Sequence, residues 1–247
     1  MKLFQKIKDR LRQNAVLEEL LEEIKDLDEV LLEKRLEIFN EKVTPEFFKI
    51  GLTNWDGKYK WYSDFNEEGI KHVVEYNVFK YYGGSFTYGN CYFSVPTFSS
   101  KKLVNHRTDK STMIHFYKRL SGWQKSMELN SRDNPDKIST INEKKFKTTL
   151  DDVLSRNISQ IKNWFKEHSS LEQNIEGLVK VIENPPYEIG QRIISCEYIL
   201  SFLFKQKGDL NSSEKWLNKH FDKNLKSAEE KILLMKKIKE ENNAKMH

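Results

Sequence analysis

The sequence predicts an α+β fold: a helix at the N-terminus, a four-stranded antiparallel sheet and a C-terminal helical bundle. Three observations carry that reading. Apolar residues recur at three- and four-residue spacing through residues 2–41, and again from residue 143 onward. Between these stretches, residues 44–142 hold 19 of the 30 aromatic side chains and 7 of the 10 glycines, the composition of strands and turns. The 247-residue chain is 38% hydrophobic and 12% aromatic, too rich in large apolar groups to remain disordered. The chain therefore divides into an N-terminal amphipathic helix (1–43), an aromatic sheet region (44–142) and a helical region (143–247).

Each element has a local reason. No Pro or Gly interrupts residues 2–41, where Leu3, Phe4, Ile7 and Leu11 form one stripe and Leu17 to Phe39 a second. This helix packs on its own domain or serves as a homodimer arm. Thr44-Pro45-Glu46 reads as a new helix start, with Thr as N-cap, Pro in the first turn and Gly51 as the stop. Four strands follow: Lys58–Phe65, Ile70–Tyr82, Ser85–Val95 and Thr112–Leu120. Gly83-Gly84 has the form of a two-residue hairpin turn. With that turn, Val78 faces Gly89, Tyr76 faces Cys91, Val74 faces Phe93 and His72 faces Val95. Pro96, which has no N–H to donate, closes the third strand. Helices are expected from Asn142 to Asn184, over Ile189–Lys207 and Ser212–Lys223, and over Ser227–Lys245.

Composition excludes several function classes. The 42 Lys and Arg against 37 Asp and Glu leave a net charge of +5, spread along the chain rather than gathered into a basic stripe. The sheet region carries +4 of it. No apolar run reaches the ~18 residues of a membrane span, and the first residues lack the apolar segment of a secretory signal. Cys91 and Cys196 form no zinc pattern and suit a reducing cytoplasm. There is no His-Glu-x-x-His, no Gly-x-Ser-x-Gly and no phosphate-cradling glycine loop, so neither metal nor cofactor is expected. Asp64 and Glu75 have the spacing of a sheet-borne metal nuclease. The position two after Glu75 is Asn77, however, where that chemistry needs Lys.

Two groups of residues remain as candidate binding sites. The segment 105–112 is the most polar stretch of the sheet region. Its Arg107 and Lys110 can hold a phosphate or carboxylate, and His106 with Asp109 can form an acid–base pair. Tyr81, Tyr82 and Phe86 cluster at the hairpin and, with Trp123, supply aromatic contacts. His72, on the apolar sheet face, and His115 read as structural histidines.

Phe47-Phe48-Lys-Ile-Gly51-Leu52, Tyr59–Tyr62, the hairpin from Val73 to Thr87 and Trp164 follow one another in a pattern. In that pattern residues 45–180 resemble a bacterial family catalogued only as a domain of unknown function. The resemblance implies an α+β fold and transfers no catalytic residue. Tyr198, Leu203, Gly208-Asp209, Ser213, Trp216 and Leu217 resemble a single tetratricopeptide-like hairpin, which implies protein binding. The expected function is non-enzymatic protein binding in the bacterial cytoplasm, of the immunity or antitoxin kind, against a partner with an acidic surface. The alternative is binding or cutting of nucleic acid through the basic loop 101–110. A third reading is a small-molecule enzyme using His106 and Asp109.

Overall fold

Alternation of large and small side chains determines how the sheet is built. The computed structural model describes residues 27–79, 82–99, 102–105, 112–120, 135–185, 194–223 and 228–239. Strands β1 (Asn54–Trp55), β2 (Lys60–Tyr62), β3 (Ile70–Phe79), β4 (Gly83–Tyr92) and β7 (Phe116–Arg119) lie in that order, each antiparallel to its neighbour. Strand β8 (Ile138–Ser139) pairs with the hairpin end of β4, beyond the reach of β7. Strands β5 (Pro96–Ser99) and β6 (Lys102–Asn105) form a separate two-stranded ladder. The α+β class and the antiparallel sheet are as the sequence predicts. The main sheet has six strands rather than four, because β1 and β8 are two residues long and leave no periodic signal.

The register of the central hairpin differs from the sequence reading. Phe79 pairs with Gly83, Tyr76 with Phe86, Val74 with Tyr88 and Ile70 with Tyr92. Gly83 and Gly84 are therefore in the strand, and three residues separate the strand ends. Tyr82 takes the left-handed turn conformation at φ 40°. The glycines serve close approach instead. A Cβ on Gly84 would lie 2.3 Å from Tyr76 Cζ, and one on Gly83 would lie 2.8 Å from the Ile138 carbonyl oxygen. The shift is five residues, an odd number, so every β4 side chain changes face. Phe86, Tyr88, Asn90 and Tyr92 point into the core, while Gly83, Ser85, Thr87, Gly89 and Cys91 point away from it.

The core lies between this inner face and the helices. Helix α1 (Leu32–Ile38) runs without a break through a π turn (Phe39–Val43) into α2 (Thr44–Lys49). Thr44 is thus helical and not an N-cap. Pro45 has no N–H for the Glu41 carbonyl, and the backbone answers by widening one turn rather than stopping. Gly51, at φ 97°, ends α2 as expected. The wide turn sends Phe39 into the core. Its ring meets Tyr76 at 4.9 Å, Trp61 at 5.5 Å, Phe146 at 5.6 Å and Tyr59 at 6.1 Å, mostly edge to face. Thr44 Oγ1 accepts a hydrogen bond from Trp61 Nε1 at 2.9 Å. Val30, Ile38, Phe39 and Val43 are buried, so residues 30–43 belong to the fold. The earlier part of the predicted first helix, residues 1–26, lies outside the described residues.

The helical region begins with α3 (Glu143–Glu167), capped by Asn142 accepting from Lys145 N at 2.9 Å. Its buried stripe, from Phe146 through Phe165, covers the sheet. Helix α4 (Leu171–Glu183) starts with a Ser170–Gln173 capping box. Helices α5 (Cys196–Gln206), α6 (Leu210–Lys223) and α7 (Ala228–Lys239) follow. Along the chain α4 packs on α5, α5 on α6 and α6 on α7. Gly208, at φ 85°, makes the tight α5–α6 turn, and Asp209 Oδ1 accepts from Ser212 N at 2.9 Å.

Two variants test the register. Gly84→Ala forces a methyl group into the Tyr76 ring and should destabilise by about 2 kcal/mol or more. Tyr82→Gly relieves a left-handed turn residue and should be neutral or stabilising by about 1 kcal/mol. Urea denaturation measures both. A tolerated Gly84→Ala would contradict the register.

Candidate interaction face of the sheet

Polar side chains gather at two places on the sheet, and they are used differently. On the inner face, β4 contributes Asn90 and Tyr92, which meet the turn between α3 and α4. Asn90 Nδ2 donates to Asn174 Oδ1 at 2.7 Å and to the His168 carbonyl at 2.8 Å. Its Oδ1 faces His72 Nδ1 at 2.7 Å, which places the proton on Nδ1 of His72. Tyr92 OH donates to Asn174 Oδ1 at 2.7 Å, and Asn174 Nδ2 donates to the His168 and Ser170 carbonyls. Tyr92 N donates to His115 Nδ1 at 3.0 Å. His72 stacks on Phe165, and His168 stacks on Trp164 at 4.1 Å. This network ties the sheet to the helices. Every Asn174 amide atom is consumed by it, so it offers nothing to a substrate.

Both stacked histidines are held neutral. Burial lowers the pKa of His72 against the opposing hydrogen bond to Asn90, and the neighbouring His168 lowers it further. Burial also lowers that of His168, against its bond to the Trp164 carbonyl. The Ser195–His220 contact is structural as well. Ser195 Oγ, 2.7 Å from His220 Nδ1, already accepts from Tyr198 N as the cap of α5. His220 is buried against the Tyr198 ring.

The outer face has a different character. There β4 contributes only Gly83, Ser85, Thr87, Gly89 and Cys91, small residues that are all buried. Longer side chains stand on both sides. One row across the sheet reads Lys60, Glu75, Thr87, Arg119. The next row toward the hairpin pairs Asn77 with Ser85, and the last reads Phe79, Gly83, Ser139. Asn77 Nδ2 donates to Thr87 Oγ1 at 2.8 Å. Arg119 lies 5.8 Å from the Tyr117 ring centroid. In the other direction, residues 112–114 cross the face. Lys60 Nζ donates to the Thr112 carbonyl at 2.9 Å, and Ile114 sits over Gly89.

The residues singled out from sequence distribute as follows. Tyr81, His106, Arg107, Asp109, Lys110 and Trp123 lie outside the described residues. Tyr82 is exposed at the hairpin tip. Phe86 is buried in the core against Phe47, Trp61 and Tyr76, so it does not share a surface with Tyr82. Cys91 is buried as expected, but on the outer face with Tyr62 and Val73; burial pushes its thiol up to about 11. Glu75 sits across from Lys60. Asp64 follows β2 and is held by Asn54 Nδ2 at 3.2 Å, four positions further along the ladder from Glu75. Among the described residues no three His, Cys, Asp or Glu side chains come together to hold a metal, and no helix is long and apolar enough to cross a membrane. Ser85, Asn77 and Ser139 were not singled out. For Ser85 the signal was the alternation of small and large residues in Gly83–Tyr92, masked by reading the two glycines as a turn.

Asn90→Ala leaves buried His72 Nδ1 without its partner and removes one of the two hydrogen bonds to Asn174 Oδ1 and to the His168 carbonyl, and should cost about 3 kcal/mol of stability. The two depressed histidine pKa values add a pH dependence. The unfolded chain takes up protons at about pH 6.5, where the folded histidines do not. The denaturation midpoint should therefore hold above about pH 7 and fall as the pH drops below about 6.5. A midpoint that rose on acidification would contradict the neutral assignment.

No family model matches the chain, and no curated protein or solved structure matches it either.

Proposed function

We propose that this protein is a non-enzymatic binding protein that occludes an acidic protein partner, in the manner of an immunity protein or antitoxin in a bacterial cytoplasm. The observation that carries the reading is the contrast between the two faces of β4. The histidines, asparagines and tyrosine of the inner face are committed to the fold. On the outer face the small residues of β4 are buried, and the row through Thr87 carries Lys60 at one side and Arg119 at the other. The cations of that row favour carboxylates on a partner surface. The single tetratricopeptide-like hairpin at Cys196–Lys223 agrees with a binding role.

Affinity capture from bacterial lysate, with the tagged full chain and its Arg119→Glu variant, tests the proposal. The expected result is a stoichiometric protein that survives nuclease treatment and is captured at least about tenfold less by the variant. Recovery of nucleic acid alone, lost on raising salt from about 0.15 to 0.5 M, would overturn it in favour of phosphate binding through the basic residues of 101–110.

A further inference from the structure

Apolar side chains stand exposed together at the hairpin end of the inner face. Leu31 is 75% exposed, Val78 52%, Leu32 41% and Leu27 38%. Backbone hydrogen bonds place residues 28–30 beside the end of the hairpin. Asp28 N donates to the Ile141 carbonyl at 3.0 Å and Val30 N to the Thr140 carbonyl at 3.1 Å, while Thr140 N donates to the Tyr82 carbonyl at 2.9 Å. In the adjoining row Val78 pairs with Gly84, and Gly84 with Ile138. Helix α1 points to the same end. Phe39 rests on the Tyr76 ring, Arg35 one turn earlier places its charge near the Tyr76 phenol, and Leu32 lies a further turn back. Val78 is the next inner-face residue of β3 after Tyr76. Single exposed apolar residues are ordinary, but a group of them at one end of a sheet marks a docking surface.

The chain enters the described structure at this surface. Leu27 is the first described residue, and 26 residues precede it. Among these, Leu17, Leu20, Leu21 and Ile24 keep three- and four-residue spacing, with Glu18, Glu19, Glu22 and Glu23 at the positions of the opposite side. The sequence reading put that stripe on one helix with α1. Residues 27–31 interrupt it. None of them is helical, and Leu31, which precedes α1, is extended at φ −60° and ψ 155°. The stripe cannot then continue the buried face of α1, and it needs an apolar surface of its own. A segment tethered this close to such a surface competes for it at an effective concentration on the order of millimolar, above that of a second copy in dilute solution. We propose that the hairpin end of the inner face is the seat of the chain's own residues 15–26, whose Leu17, Leu20, Leu21 and Ile24 cover Leu31, Leu32 and Val78. The N-terminal residues then close the fold rather than join two copies of it.

A nitroxide on Glu18→Cys of the full chain, labelled with nitrogen-15, tests the proposal. The amide signals of Val78 and Tyr82 should be lost with the nitroxide oxidised and return when it is reduced. Leu20→Asp with Ile24→Asp should restore them without reduction. Val78→Asp, at an exposed position, should restore the Tyr82 signal while the Asn90 signal stays in place. A mixture of nitroxide-bearing chains without nitrogen-15 and nitrogen-15 chains without nitroxide should keep all these signals. Signals that persist beside the oxidised nitroxide would overturn the proposal. So would a loss that the aspartate variants leave unchanged, which reports the tether alone. Loss in the mixed sample would overturn it in favour of a second copy as the occupant.

Discussion

The Tyr76 ring lies across Gly84, and this contact locks the β3–β4 ladder. No side chain larger than hydrogen fits at Gly84, so the ladder cannot slide past the ring. Everything else in the sheet follows from the resulting parity. Phe86, Tyr88, Asn90 and Tyr92 face the helices, and the small residues of β4 face outward. The Phe39 aromatic cluster forms because Tyr76, Trp61 and Phe86 share one side of the sheet, and because the π turn before Pro45 brings Phe39 to them.

The same parity divides the polar chemistry. Asn90 is fully buried, yet its amide is completely hydrogen-bonded, so burial strengthens the node rather than penalising it. That node joins residues distant in sequence, from β3, β4 and the α3–α4 turn. It excludes charge, which is why both its stacked histidines remain neutral. The outer face instead retains hydroxyls that the fold leaves unpaired, those of Ser85 and Ser139.

Much of this architecture is legible in the sequence, for physical reasons that also explain the rest. The helices of residues 143–223 announce themselves through apolar periodicity and through Asn142, Ser170 and Gly208 at their ends. The long strands show in β-branched and aromatic runs. Gly83-Gly84 misled because adjacent glycines serve two purposes, tight turns and close packing, and only the Tyr76 ring distinguishes them. Thr44-Pro45 misled similarly: a proline can start a helix or widen one that is already running. Asn174 belongs to the inner-face network only through tertiary placement, since in the sequence it resembles any polar helical residue.

The central claim is the β3–β4 register, because both faces take their character from it. A nuclear Overhauser spectrum of the full chain tests it directly. The account predicts contacts between the Tyr76 ring protons and the Gly84 α-protons. Contacts from Tyr76 to Cys91 in their place would contradict it, and would exchange the inner and outer residues of β4.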